Sequence, residues 1–78
     1  MIEYKMPKMD HLSEESFIEQ WLIKIGDSVA PGQIIMRIET GKAILEVEAN
    51  FSGVLKEILI PEGEMVDIGT IIALFDEV

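Results

Sequence analysis

The chain has 78 residues, with 15 Asp and Glu against 6 Lys and Arg, so its formal net charge is −9. A chain this short makes one small domain and seldom holds both a packed core and a deep substrate pocket, which disfavours an enzyme, while its carboxylate excess repels phosphate backbones and anionic lipids and so disfavours nucleic acid and membrane partners. Hydrophobic residues reach 49%, too many for a disordered acidic tail, and the absence of cysteine excludes disulfides, thiolate nucleophiles and cysteine zinc sites.

Apolar residues recur at period two between Gly and Pro breakers, which predicts an all-β domain. The first strand is expected at Ile2 to Met6. The opening MIEYKMPKMD mixes charges of both signs without a long apolar core, and no apolar run nears the ~20 residues of a membrane span, so the chain reads as soluble and not exported. A polar loop with at most one helical turn follows at Asp10 to Glu15 and holds the single histidine, His11. One histidine without cysteine makes a poor transition-metal site, and the loop lacks the glycine and ligand spacing of a calcium loop. No metal is expected.

The second strand is expected at Phe17 to Ile25, the third at Gln33 to Glu39, the fourth at Ala43 to Ala49, the fifth at Val54 to Ile60 and the sixth at Thr70 to Asp76. Breakers separate them: Gly26 with Asp27, Pro31 with Gly32, Asn50 to Gly53, Pro61 to Gly63 and Asp67 to Gly69. Met6, Met9, Met36, Met65 and Trp21 are expected to be core or near-core filling and not a binding stripe. Glu46 and Glu48 fall on one strand face, as charges on a solvated sheet surface do.

A shift of 37 residues superposes two halves of the chain. Leu22, Ile23, Gly26, Val29, Gly32, Ile34 and Ile35 recur as Leu59, Ile60, Gly63, Val66, Gly69, Ile71 and Ile72. Two similar halves, each too small to bury its own apolar face, predict a quasi-twofold sandwich or flattened barrel in which each covers the other. The single domain is expected to span 1–78, without a linker. The shift also maps Lys5 onto Lys42 and sets residues 40–43 at the end of the molecule opposite the termini.

That tip reads as a hairpin. A two-residue turn at Gly41 and Lys42 pairs Thr40 with Ala43, then Glu39 with Ile44, Ile38 with Leu45, Arg37 with Glu46, Met36 with Val47, Ile35 with Glu48 and Ile34 with Ala49. This register turns Ile34, Met36 and Ile38 to the core and sets Arg37 opposite Glu46 on the other face. Gly at the first turn position predicts a type II′ turn with positive φ at Gly41, with Lys42 at the apex. An exposed lysine with a pKa of ~10.4 is a poor nucleophile, about one in 2500 being neutral at pH 7. Lys42 is therefore no catalytic amine, although another enzyme could modify it.

The segment Ile38, Glu39, Thr40, Gly41, Lys42, Ala43 resembles the attachment turn of the lipoyl domains in 2-oxo acid and acetoin dehydrogenase complexes. The similarity extends through Met6 to Met9, Trp21 to Asp27, Val29 with Gly32, Phe51 to Val54 and Pro61 to Val66. It implies a flattened barrel of two four-stranded antiparallel sheets, a barrel-sandwich hybrid, with lipoate amide-linked to Lys42 between turn residues Glu39, Thr40, Gly41 and Ala43. Lipoyl domains usually carry Asp where Gly41 stands, and glycine where Ser16 stands. Biotinyl domains, the sister family, place Met on both sides of the lysine.

By that resemblance the chain is a non-catalytic swinging-arm carrier, part of or accessory to a dihydrolipoyllysine-residue acyltransferase. The implied partners are a lipoate ligase or lipoyl transferase, a thiamine diphosphate-dependent dehydrogenase, the acyltransferase core and the flavoprotein dihydrolipoyl dehydrogenase. The loop residues His11, Leu12 and Ser13 are the candidates for partner recognition, and the domain itself is expected to be monomeric. The expected location is the cytoplasm of a bacterium or archaeon, with the mitochondrial matrix as the alternative for a chain excised from a longer precursor. The competing readings are a biotin carrier of a carboxylase or decarboxylase, and an unmodified structural module of the same fold.

Overall fold

The two halves of the repeat exchange hydrogen bonds as well as making their own. In the computed structural model, which describes residues 1–8, 15–41 and 43–77, the Gly26 N–H donates to the Leu55 carbonyl at 2.8 Å and the Gly63 N–H donates to the Ile18 carbonyl at 2.8 Å. Each turn of one half thus caps a strand of the other. The described residues form eight strands and no helix: β1 (Ile2–Lys5), β2 (Glu15–Trp21), β3 (Ser28–Val29), β4 (Ile34–Glu39), β5 (Ile44–Glu48), β6 (Gly53–Ile58), β7 (Met65–Asp67) and β8 (Ile71–Glu77).

The strands make two four-stranded antiparallel sheets of order β1-β8-β6-β3 and β5-β4-β2-β7. The all-β expectation and the two four-stranded sheets are therefore borne out, in a flattened body of 34 × 22 × 17 Å. Six expected strands become eight because β3 and β7 are only two and three residues long. β3 pairs with β6 and β7 with β2, so each short strand again joins the two halves.

The repeat is structural. Gly26 and Gly63 take φ of 97° and 94°, and Gly32 and Gly69 take 91° and 90°, a region that L side chains enter only with strain. Buried residues also come in pairs 37 apart: Ile18 with Leu55, Ile35 with Ile72, and Ile38 with Phe75, all at 0 or 1% exposure. Their side chains meet between the sheets and form the core. Bulges repeat too, since β2/β4 shifts register between Ile18 and Gln20 and β6/β8 between Leu55 and Glu57.

One mapping from the sequence is corrected. β1 corresponds to β5 through an offset of 43, not 37. The Met6 N–H donates to the Thr70 carbonyl and the Ala49 N–H to the Gln33 carbonyl, both at 2.8 Å. Lys5 therefore corresponds to Glu48, and its apparent match to Lys42 arises from ignoring a length difference. Nine residues separate Met6 from Ser16, but three separate Ala49 from Gly53.

The expected methionine core holds in part. Met6, Met36 and Trp21 are buried, whereas Met65 is 57% exposed because it lies on the outer face of β7, where Val66 takes the inward position. Met9 lies outside the described residues. Ser16 is buried in β2, while at the corresponding Gly53 an added Cβ would stand 2.8 Å from the Asp76 carbonyl oxygen.

Candidate functional site

The hairpin of β4 and β5 carries the expected tip. Glu39 pairs with Ile44, Ile38 with Leu45, Arg37 with Glu46 and Met36 with Val47, as the sequence pattern requires. The register then shifts. Ile34 pairs with Glu48, so Ile35 is bulged out of the ladder and turns inward to full burial while Ile34 stays 37% exposed. The expected pairs Ile34 with Ala49 and Ile35 with Glu48 are corrected by this bulge.

Between the described residues Thr40 and Ala43, three hydrogen bonds close the tip. The Thr40 N–H donates to the Ala43 carbonyl at 2.9 Å. The Thr40 hydroxyl lies 3.3 Å from the same carbonyl and 3.4 Å from the Ala43 N–H, able to donate to the first and accept from the second. Thr40 is 8% exposed, so a buried residue anchors the loop while Gly41 and Ala43 on either side of position 42 are exposed. Lys42 itself lies outside the described residues, as do His11, Leu12 and Ser13.

Gly41 departs from the expected turn. Positive φ occurs at four glycines, and Gly41 is not among them, so a type II′ turn with its left-handed first position is not formed. An added Cβ at Gly41 meets nothing within 4 Å. Glycine is thus not demanded by backbone or space at this position, and a larger residue fits.

Below the tip the outer face of the sheet is braced by polar contacts. The Arg37 Nη1 donates to Gln20 Oε1 at 3.2 Å, and Arg37 Nε lies 3.8 Å from Glu46 Oε2. The ion pair is half exposed, so it contributes no more than ~1 kcal/mol; its use is to tie β2, β4 and β5 across one face. Among the described residues no group of three or more His, Cys, Asp or Glu side chains could hold a metal. A covalent arm needs no binding cavity. A hairpin end closed by Thr40, with Gly41 and Ala43 exposed on either side of position 42, suits enzymatic acylation of a lysine amine there and free movement of what is attached.

Residues 2–75 match the family model described as biotin-requiring enzyme, the biotin/lipoyl family. The chain is 43% identical over 77 residues to the dihydrolipoyllysine-residue acetyltransferase component of the pyruvate dehydrogenase complex of Zymomonas mobilis, covering 97% of this chain and 18% of that protein. It is 40% identical over 77 residues to the dihydrolipoyllysine-residue succinyltransferase component of the 2-oxoglutarate dehydrogenase complex of Staphylococcus saprophyticus, covering 99% of this chain and 18% of that one. Among solved structures, the lipoyl domain of the 2-oxoglutarate dehydrogenase complex from Azotobacter vinelandii superposes with a TM-score of 0.77 at 31% identity, covering 99% of this chain and 98% of that domain.

Fold, hairpin and family match together define an attachment domain that carries a group for other enzymes and is not itself a catalyst. The chain belongs to the biotinyl/lipoyl-attachment family, as a lipoyl-type domain. It spans under a fifth of the length of the curated relatives it matches.

Proposed function

We propose that this domain carries lipoate, amide-linked to Lys42, and shuttles acyl groups and reducing equivalents among the components of a 2-oxo acid dehydrogenase complex. The observation that supports this reading is the Thr40–Ala43 clamp, which closes the end of a hairpin rooted in the core and leaves Gly41 and Ala43, on either side of position 42, exposed. Lipoate, when bound, supplies a dithiolane that takes up an acyl group at one enzyme and yields it at another. The chain's own residues provide the rest. Thr40 closes the turn on Ala43, the exposed Gly41 and Ala43 flank the position that a lipoate ligase or lipoyl transferase would modify, and Ile38, Ile35 and Met36 root the hairpin.

The proposed partners are a thiamine diphosphate-dependent dehydrogenase, the acyltransferase core and dihydrolipoyl dehydrogenase, met in the cytoplasm by a monomeric domain of residues 1–78. His11, Leu12 and Ser13 belong to a connection six residues longer than its quasi-symmetric counterpart. Those extra residues are not needed to repeat the fold, which supports a recognition role for them. Attachment converts the Lys42 ammonium to a neutral amide and moves the formal net charge from −9 to −10.

Intact-protein mass after expression with a lipoate ligase tests the reading. One lipoyl adduct is expected, absent from Lys42→Arg, with the circular dichroism of the two proteins the same. An adduct formed only with a biotin ligase, or none with either enzyme, would overturn it.

A further inference from the structure

The outer face of the hairpin sheet carries a row of three apolar side chains and one carboxylate, two of whose apolar residues the fold does not require. Glu39 pairs with Ile44 on one side and Phe17 on the other, and Phe17 pairs in turn with Met65. Ile44, Glu39, Phe17 and Met65 therefore line up across all four strands, at the last pair before the Thr40–Ala43 turn. Ile44 is 54% and Met65 57% exposed, with Phe17 half-buried between them.

Quasi-symmetry supplies the comparison. In the other sheet the positions of Glu39, Phe17 and Met65 are held by Asp76, Val54 and Ser28, paired in the same order. The same architecture is thus built there with a smaller side chain and a hydroxyl. Met1, also exposed, stands in the other row where Ile44 stands here, so the difference lies at Phe17 and Met65, which stability of the fold does not explain.

Charge sets the kind of partner. Glu15 and Asp67 pair with each other one step nearer the tip, and Glu39 and Glu46 are exposed within and below the row. Arg37 is the one described cation on the outer face of these strands, and it is engaged by Glu46. The face is an apolar stripe in an acidic surround.

Resting on the carrier reading above, we propose that this face docks the thiamine diphosphate-dependent dehydrogenase, through a partner surface with an apolar centre ringed by Lys and Arg. Apolar anchors inside a charged rim give short-lived, oriented contacts, and opposite charge raises the encounter rate. Docking at the row beside the tip leaves the turn itself facing the partner's entrance.

Two measurements test this, using the dehydrogenase components of a pyruvate and a 2-oxoglutarate dehydrogenase complex as probes. In the first, either enzyme is titrated at low salt into the isotope-labelled, unmodified domain. The amide signals of Phe17, Glu39, Ile44 and Met65 are expected to shift or broaden, while those of Ser28, Val54 and Asp76 stay unchanged. In the second, the lipoylated domain is the substrate. Phe17→Val with Met65→Ser, which copies the other sheet's residues onto this face, is expected to raise KM about tenfold with kcat unchanged, with the same lipoyl adduct as wild type. Glu15→Lys with Asp67→Lys, both exposed, is expected to raise KM and flatten its dependence on salt. A wild-type domain that is lipoylated but shows no signal change on this face, or variants with unchanged KM, would overturn the docking face alone. No adduct on the wild type would overturn the carrier reading and the docking face with it.

Discussion

Tyr4 sits in β1 with its ring 6.0 Å from that of Phe75, edge-on, and 5.8 Å from that of Phe51. Burial pushes its hydroxyl from the ordinary 10.0 up to about 12, because the phenolate would lose its water among these rings. In the unfolded chain the same group titrates near its ordinary value. Between pH 10 and about 12 the unfolded state has released a proton that the native state retains, so stability falls as pH rises through that window and is unaffected by this group below it. Tyr4 is the single tyrosine, so phenolate absorbance reports it directly: the midpoint is expected near 12 in the native protein and near 10 in urea. Tyr4→Phe should remove that part of the alkaline fall in the urea midpoint. Gly41 makes a second test at this scale. With no left-handed φ and open space around it, Gly41→Ala is expected to raise stability by about 0.4–1 kcal/mol through the unfolded state. Gly63→Ala, at φ of 94°, is expected to lower it by about 1–2 kcal/mol. Equal losses in urea denaturation would show that the tip needs a left-handed residue after all.

At the scale of elements, what could be read from the sequence was what alternated. Between Met36 and Glu39 apolar and polar residues alternate, and Arg37 faces Glu46, so the four pairs from Glu39 with Ile44 to Met36 with Val47 follow from period two and opposite charge. Ile34, Ile35 and Met36 are apolar on both faces, so periodicity says nothing about which two turn inward. The bulge at Ile35 is therefore invisible in that run, although its twin at Ile72, skipped where Tyr4 and Lys5 pair with Ala73 and Ile71, shows that the geometry belongs to the repeat. β3 and β7 escape for a different reason. Two or three residues cannot display an alternation, and these strands exist because a neighbouring half offers them a partner. Residue type alone points Met65 towards the core, and its place on so short a strand is what turns it outward. The tip was legible as a turn because Gly41 and Lys42 sit between two matched strands, but not as a turn type, since glycine permits both signs of φ.

The whole molecule has a quasi-twofold that relates the tip to the chain ends, and this can be tested by exchanging them. β1 with β8 repeats β5 with β4 pair for pair: Ile2 with Phe75, Glu3 with Leu74 and Tyr4 with Ala73 stand where Leu45 with Ile38, Glu46 with Arg37 and Val47 with Met36 stand. By that correspondence Asp76 takes the place of Glu39 and Met1 that of Ile44. Four residues, 40–43, bridge the hairpin, and Glu77 and Val78 already supply two of the four needed to bridge the ends. A chain with a two-residue Asn-Gly linker from Val78 to Met1, opened between Gly41 and Lys42, trades one short loop for another of equal length, so the closure entropies nearly cancel. The permuted protein is expected to keep the same circular dichroism and to unfold in one step, within about 2 kcal/mol of the original. Lipoate attachment should fall sharply, because the lysine no longer sits in a closed turn. Retained fold with lost attachment would separate the two roles of the hairpin: the pairing of the halves holds the sheets, and the closed loop presents the lysine. A permuted chain that fails to fold would show instead that closure of this hairpin is needed to bring the halves together.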